Sequence, residues 1–137
     1  MKKLQALTLV LLILVSVTSC APAGPPPGTV AASQVQLRHV SAFLKPGFTL
    51  DHAYVVRSQA QQNASFFAAR IAGARPEPAV GVWLISGPSD SPGLTLSVNA
   101  YAKEFSVAPD GAKSKAEVSM ADPPASDLQR FVESQLR

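Results

Sequence analysis

The chain has 137 residues, with 12 lysine and arginine residues against 9 aspartate and glutamate residues and a net charge of +3. Lys2 and Lys3 account for most of this excess, because 10 basic and 9 acidic residues remain from position 20 onward. No basic cluster remains there, which excludes nucleic-acid binding. Cys20 is the only cysteine, so no intramolecular disulfide can form, and the roughly one hundred residues that follow suffice for one compact domain.

The start of the chain has the pattern of a secretory signal. A cationic beginning with Lys2 and Lys3 precedes an apolar run over residues 4–17, which is interrupted only by Gln5, Thr8 and Ser16. Such a run is too short to span a bilayer comfortably but suits the hydrophobic region of a signal peptide. We therefore predict a signal peptide over residues 1–19. An uncleaved membrane anchor and a secreted protein with an incidental thiol are the alternatives.

Residues 17–20, with the sequence Val-Thr-Ser-Cys, resemble the lipobox of bacterial lipoproteins. This resemblance covers only about the first twenty residues. It implies transfer of diacylglycerol to the sulfur of Cys20, cleavage after Ser19 and, in many lipoproteins, acylation of the new amino terminus. Two or three acyl chains would hold the protein durably, since each buried methylene contributes roughly 0.8 kcal/mol. The expected location is the cell membrane or outer membrane, with the protein facing the periplasm or the cell exterior.

A proline-rich segment follows the cysteine. Four prolines stand within residues 20–34, at positions 22, 25, 26 and 27. Proline favours the extended polyproline II helix, so this segment is predicted to be a spacer that reaches about 40 Å at full stretch. It would carry the lipidated Cys20 at one end and lift a globular domain of residues 35–137 off the membrane.

Two-residue alternation predicts strands in the first part of that domain. Residues 53–57 and 79–86 read as strands, the latter with apolar residues on both faces, as in a central strand. Residues 94–99 alternate with Leu94, Leu96 and Val98 inward, and the turn residues at 87–93 make the pair a hairpin. Residues 58–72 fit a helix that begins at Ser58 or a strand over residues 64–72. We favour the strand, because it completes a meander and a helix would leave Phe66 off its apolar stripe.

The C-terminal third predicts a second hairpin and a helix. Residues 101–107 and 112–120 read as strands around a turn at residues 108–111, with charged side chains outward on an edge strand. Asp122 is a candidate N-cap with Pro123 at the first helical position. The helix has one apolar stripe, formed by Leu128, Phe131, Val132 and Leu136. A helix on the membrane surface is the alternative, which the acidic residues of the polar face disfavour. The predicted fold is a single small α+β domain, mainly an antiparallel β-meander of about five strands with a C-terminal amphipathic helix packed on it.

No motif for catalysis, metal binding or a cofactor is present. Asp51 and His52 adjoin, but neighbouring residues on a strand point to opposite faces, so we do not expect them to share a metal ion. Trp83 is predicted to lie in the core with the Phe66/Phe67 pair, the alternative being that one of these aromatics lines a ligand groove. The loop over residues 86–93 is the better candidate for contact with a partner. The candidate binding residues are Ser86, Ser89, Asp90, Ser91 and Trp83.

Two functional hypotheses follow. The first is a lipid-anchored binding domain of the bacterial cell envelope that contacts a protein, peptide or glycan. The stretches at residues 82–87 and 94–99 also resemble uncharacterised small bacterial lipoproteins, which supports the predicted location in the cell envelope and implies no activity. The second is a small envelope enzyme, for which Asp51, His52, Asp90 or Glu104 would supply acid–base groups. It predicts a cleft in which two of them converge within hydrogen-bond distance.

Overall fold

Five antiparallel strands form one sheet, and their order in the sheet is their order in the chain. The structure is a computed structural model that describes residues 24–137, so Cys20 and the predicted signal peptide lie outside the described residues. The strands are β1 (Val30–Ala31), β2 (Thr49–Arg57), β3 (Ala64–Ala72), β4 (Val80–Ser86) and β5 (Thr95–Ser97). The helices are α1 (Gln34–Ser41), α2 (Ala100–Phe105) and α3 (Ala125–Gln135). The predicted α+β class and the C-terminal helix on an antiparallel meander are confirmed.

The two central strands are buried on both faces. Residues 64–72 form a strand, so the predicted β3 is confirmed and the helical alternative is wrong. Phe66 and Phe67 point to opposite faces, and neither exposes any surface to solvent. Phe67 lies opposite Trp83 on β4, whereas Phe66 lies opposite Leu84. Each face of the sheet therefore has its own apolar core, and other elements must pack on each face to exclude solvent.

Helix α3 covers one face. Leu128 and Val132 are fully buried there, and the ring of Phe131 packs edge-on against Tyr54 of β2, with 5.0 Å between the ring centroids. The helix begins at Ala125, later than predicted, because the Asp122 carboxylate accepts from the Ser119 N–H at 3.0 Å. Asp122 thus closes the preceding turn and does not cap the helix. Among residues 24–137, no helix has both the length and the apolar character that a membrane crossing requires.

The other face is covered by α1 and α2. Val40 of α1 and Ala102 of α2 are fully buried in the same cluster as Trp83. The prediction of a strand over residues 101–107 is wrong, because Asn99 starts a helix there. Its Oδ1 accepts from the N–H groups of Ala102 and Val82, both at 3.0 Å, and the Val82 contact fixes it to the sheet.

The predicted edge strand over residues 112–120 is also absent from the described residues. A short 3₁₀ helix (Gly111–Lys113) follows the turn, and local bonds then satisfy the backbone. The Val118 N–H donates to the Gly111 carbonyl at 3.0 Å, and Glu117 has a positive φ of 49°. Such a backbone cannot extend along a sheet edge, although it buries Val118 completely.

The folded part of the chain starts earlier than position 35. Val30 and Ala31 pair with Val55 and Tyr54 as the edge strand β1, so the boundary predicted between a linker of residues 20–34 and the domain is wrong. The side chain of Ser33 caps α1 in a capping box with Gln36. The prediction that Leu94 points inward is wrong as well: β5 begins one residue later, and Leu94 is 58% exposed.

Candidate functional site

The sheet has two ends that differ in chemistry. We call one the entry end. It comprises the β2–β3 turn (residues 58–63), the β4–β5 loop (residues 87–94) and the segment before β1 (residues 26–29). The other, the distal end, comprises the β3–β4 loop (residues 73–79) and the start of β2. Antiparallel pairing places these connections at opposite ends of the strands.

The predicted contact loop lies at the entry end and is held by hydrogen bonds. Ser86 closes it, because its Oγ accepts from the Leu94 N–H at 2.8 Å and its carbonyl accepts from the Gly93 N–H at 2.8 Å. The Ser33 hydroxyl donates to the Ser89 carbonyl at 3.0 Å, which ties the loop to the start of α1. Of the candidate residues, Ser89, Asp90 and Ser91 are exposed and available for contact. Ser86 has a structural role in the loop.

Trp83 lies away from this surface. It is fully buried, its indole Nε1–H donates to the Ser106 Oγ at 3.1 Å, and its ring packs edge-on against Phe67. The prediction that Trp83 belongs to the core is confirmed. Both phenylalanines are buried as well, so the alternative of an aromatic ligand groove is wrong. Trp83 therefore offers no surface to a binding partner.

A cleft of about 450 Å³ opens beside the contact loop. Strands β2 and β3 contribute Val55, Arg57 and Ser65 to it, and Gln36 reaches it from α1. Its remaining lining includes Gly28, Val30, Asn63, Gly87, Pro88 and Ser89. We call this feature the Arg57 cleft.

Two side chains of the Arg57 cleft, Gln36 and Arg57, offer hydrogen-bond donors. Gln36 is only 5% exposed, and its Oε1 is occupied by the Ser33 N–H at 3.0 Å. Its Nε2 has no hydrogen-bond partner within the described part of the chain. Arg57 likewise forms no ion pair with any residue between 24 and 137, and no acidic side chain lines the cleft. The arrangement suits a ligand with acceptor oxygens and negative charge, since a guanidinium can hold a carboxylate or phosphate through two parallel bonds.

A second cleft, of about 620 Å³, lies at the distal end, and we call it the distal cleft. His52, Arg70 and Glu133 are among the residues that line it, and the first two both contact Asp51. The His52 Nδ1 lies 2.8 Å from Asp51 Oδ1, and Arg70 donates to both Asp51 oxygens, from Nε at 2.6 Å and from Nη2. The hydrogen bond from Arg70 lowers the pKa of Asp51 below its usual value, and the contact with His52 acts in the same direction.

A β-bulge brings Asp51 and His52 together. The register of β2 against β3 shifts between Asp51 and Tyr54, and His52 has a positive φ of 49°. A bulge redirects the side chain that follows it. The expectation that Asp51 and His52 point to opposite faces is therefore wrong, because it assumed a regular strand.

The remaining acid–base candidates lie elsewhere. Asp90 is in the β4–β5 loop and Glu104 is on α2, both are exposed, and neither lines the distal cleft. His39 bonds through Nε2 to the Gly93 carbonyl at 3.0 Å and to Thr95 Oγ1 at 2.9 Å, so it fastens α1 to the sheet. Within residues 24–137, no three His, Cys, Asp or Glu side chains are grouped so that they could hold a metal ion.

Sequence reasoning missed the two side chains that define the Arg57 cleft. Gln36 and Arg57 are separated along the chain and belong to no spacing pattern, so only the fold brings them together. No protein-family model, curated protein or solved structure matches the chain.

Proposed function

We propose that the chain is a lipid-anchored, extracytoplasmic binding domain of the bacterial cell envelope whose binding site is the Arg57 cleft. One observation carries the choice of site: Gln36 and Arg57 line the same cleft, and no acidic side chain is among its lining residues. The anchor rests on the sequence that ends in Cys20, where an aliphatic and two small residues precede the cysteine.

The ligand is a small group that carries negative charge and acceptor oxygens. A volume of about 450 Å³ matches the lower part of the range of small-ligand sites, so it admits a short segment and not a whole folded surface. Of the exposed residues of the contact loop, Ser89 lines this opening, and its neighbours Asp90 and Ser91 would contact the rest of a larger partner. We propose an acidic segment of an envelope protein, peptide or glycan as the occupant.

Crosslinking in native envelopes tests the site. The acylated protein is crosslinked to its surroundings, and its partners are identified and quantified by mass spectrometry. Arg57→Gln is expected to reduce capture of the main partner roughly tenfold, since a hydrogen bond to a charged group contributes about 1.5–3 kcal/mol. The matched control is Arg75→Gln, which removes an equally positive and exposed side chain from the β3–β4 loop at the distal end. Equal capture by both variants would show that the cleft is not the site.

Intact mass of the membrane-extracted protein tests the anchor separately. The expected mass is that of a chain that starts at Cys20 and carries diacylglycerol, with or without a further acyl group on its amino terminus. A chain that starts at Met1 with a free thiol would contradict the anchor and leave the cleft experiment interpretable.

The second candidate function is a small envelope enzyme with its acid–base pair at the distal cleft. It is favoured by the 2.8 Å contact between Asp51 and His52, which orients the imidazole and leaves His52 Nε2 without a hydrogen-bond partner among residues 24–137. An activity found in the purified protein that is lost in His52→Ala and retained in Arg57→Gln would support the enzyme. Loss in Arg57→Gln alone would support the binding domain.

A further inference from the structure

The first buried residue of the described chain, Pro26, follows Cys20 closely in the sequence. Pro26 is buried, and its carbonyl accepts from the N–H and the hydroxyl of Thr29, at 3.1 and 2.7 Å. Pro26 also shares a surface depression with Gln59 of the β2–β3 turn and with Pro123, which precedes α3. The chain therefore joins the fold at the entry end.

The tether between the proposed anchor and the fold is consequently short. Residues 21–25 are the only residues between Cys20 and Pro26. Even a fully extended chain advances no more than about 3.3–3.6 Å per residue, so Pro26 lies within about 20 Å of the acylated cysteine. This is about half of the reach that the proline content of residues 20–34 predicted.

We propose that lipidated Cys20 holds the domain with its entry end against the bilayer, so that the Arg57 cleft opens onto the membrane surface. This inference rests on the proposed anchor and would place the acidic segment that occupies the cleft beside the layer of headgroups. The strands of nine residues extend about 30 Å at roughly 3.3 Å per residue, so the distal cleft faces away from the membrane.

Within the entry end, the β2–β3 turn suits contact with headgroups without insertion. The β2–β3 turn, residues 58–63, reads Ser-Gln-Ala-Gln-Gln-Asn, which contains no charge and no large apolar side chain. It offers no carboxylate that an anionic surface would repel and no anchor that would enter the acyl region. Arg57, at the edge of this turn, adds one positive charge on the side that would face the lipid.

Site-specific labelling measures this orientation. Cys20 is the only cysteine, so in the acylated protein an introduced cysteine is the single free thiol. Gln62→Cys places a fluorophore on the exposed β2–β3 turn, and Arg75→Cys places the same fluorophore in the distal β3–β4 loop, where the Arg75 side chain is 79% exposed. Each acylated protein is incorporated into phosphatidylcholine vesicles that contain a lipid with a quencher on its headgroup.

We expect quenching at position 62 to be at least threefold stronger than at position 75. Equal quenching in protein whose intact mass shows the acyl chains would overturn the orientation while leaving the anchor in place. An unacylated mass would instead overturn the proposed anchor. The two failures are therefore distinguishable.

An insertion tests whether the short length of the tether sets the orientation of the domain. Twenty glycine and serine residues placed between Ala23 and Gly24 add a flexible chain with a root-mean-square length of about 25 Å. The quenching ratio is expected to fall toward one, because the lengthened chain lets the domain turn. A ratio that stays above three would show that the short tether does not set the orientation and would overturn the inference.

Discussion

The two ends of the sheet use the same kind of side chain differently. At the distal end, Arg70 is held by both oxygens of Asp51, so its charge is neutralised within the fold. At the entry end, Arg57 forms no ion pair within the described residues and lines the same cleft as Gln36. Of these two cations, only Arg57 is left by the fold with its charge available to a ligand. Substitutions can separate the stability that both ends draw from the common core from the stability and binding that belong to one end.

Gly81, the second residue of β4, packs under the Trp83 ring of the core and has the largest expected effect. A Cβ at this position would lie within 2.6 Å of two atoms of that ring, which is fully buried. Gly81→Ala is expected to lower the free energy of unfolding by about 3 kcal/mol, at the upper end of typical overpacking. Urea denaturation measures this loss, and hydrogen exchange should show that both ends lose protection together. Gly24→Ala, where a Cβ meets nothing within 4 Å, is the matched control and should change little. Loss of protection at one end alone would mean that the ends are not one cooperative unit.

Two glycines with similar backbone conformations, one at each end, allow the same substitution to be compared at both ends. Gly87 at the entry end and Gly73 at the distal end have φ of 85° and 93°, where a side chain costs about 1–2 kcal/mol. At Gly87 a Cβ would also meet the Ser91 carbonyl oxygen at 2.8 Å, whereas at Gly73 the nearest atoms lie at 3.5 Å. We expect Gly87→Ala to cost about 2.5 kcal/mol and Gly73→Ala about 1.5 kcal/mol.

The same two variants differ in function. Gly87 lines the Arg57 cleft, so Gly87→Ala should also weaken crosslinking to the partner, while Gly73→Ala leaves it unchanged. Thermal unfolding and the envelope crosslinking assay give the two readouts. A Gly73→Ala variant that stays folded and loses its partner would place the binding site at the distal end and contradict the Arg57 cleft.

Asp51→Asn has the smallest expected effect, and it depends on pH. The ion pair with Arg70 is partly exposed, so at neutral pH its loss should cost no more than about 1 kcal/mol. Because folding lowers the pKa of Asp51, its contribution is fully present above the unfolded pKa of about 3.9 and is lost as the pH falls through the folded pKa. Wild type and variant should therefore converge in chemical denaturation below about pH 4. A difference that is constant from pH 7 to pH 3 would contradict the assigned role of the carboxylate.

The central strands and α3 could be predicted because their signals are local. Nearly continuous apolar runs mark β3 and β4, and the stripe through Leu128 and Val132 marks α3, so each buried face is visible in a short stretch of chain. Helix α2 could not be predicted in this way. The side chain that starts it, Asn99, is fixed by the backbone of Val80 and Val82, which the sequence places 19 and 17 residues earlier.

The errors at the N-terminus and in the site have a similar origin. Proline composition predicted a spacer, but Val30 pairs with Val55 of β2, which stands 25 residues later in the chain. The bulge at His52 and the meeting of Gln36 with Arg57 likewise depend on the assembled sheet. Local patterns thus predicted the layers of the fold, whereas the positions of the donor groups required the tertiary structure.

The chain-order arrangement of the sheet has a consequence for how the domain forms. From β2 to β5 every strand pairs with its immediate successor, across connections of 6, 7 and 8 residues. Closing such short loops costs little chain entropy, so the sheet can grow one hairpin at a time. Only β1 must wait for a partner across a longer connection. The strand nearest Cys20 in the chain, β1, therefore has the least local pairing, and we expect this edge of the sheet to form after the central hairpins.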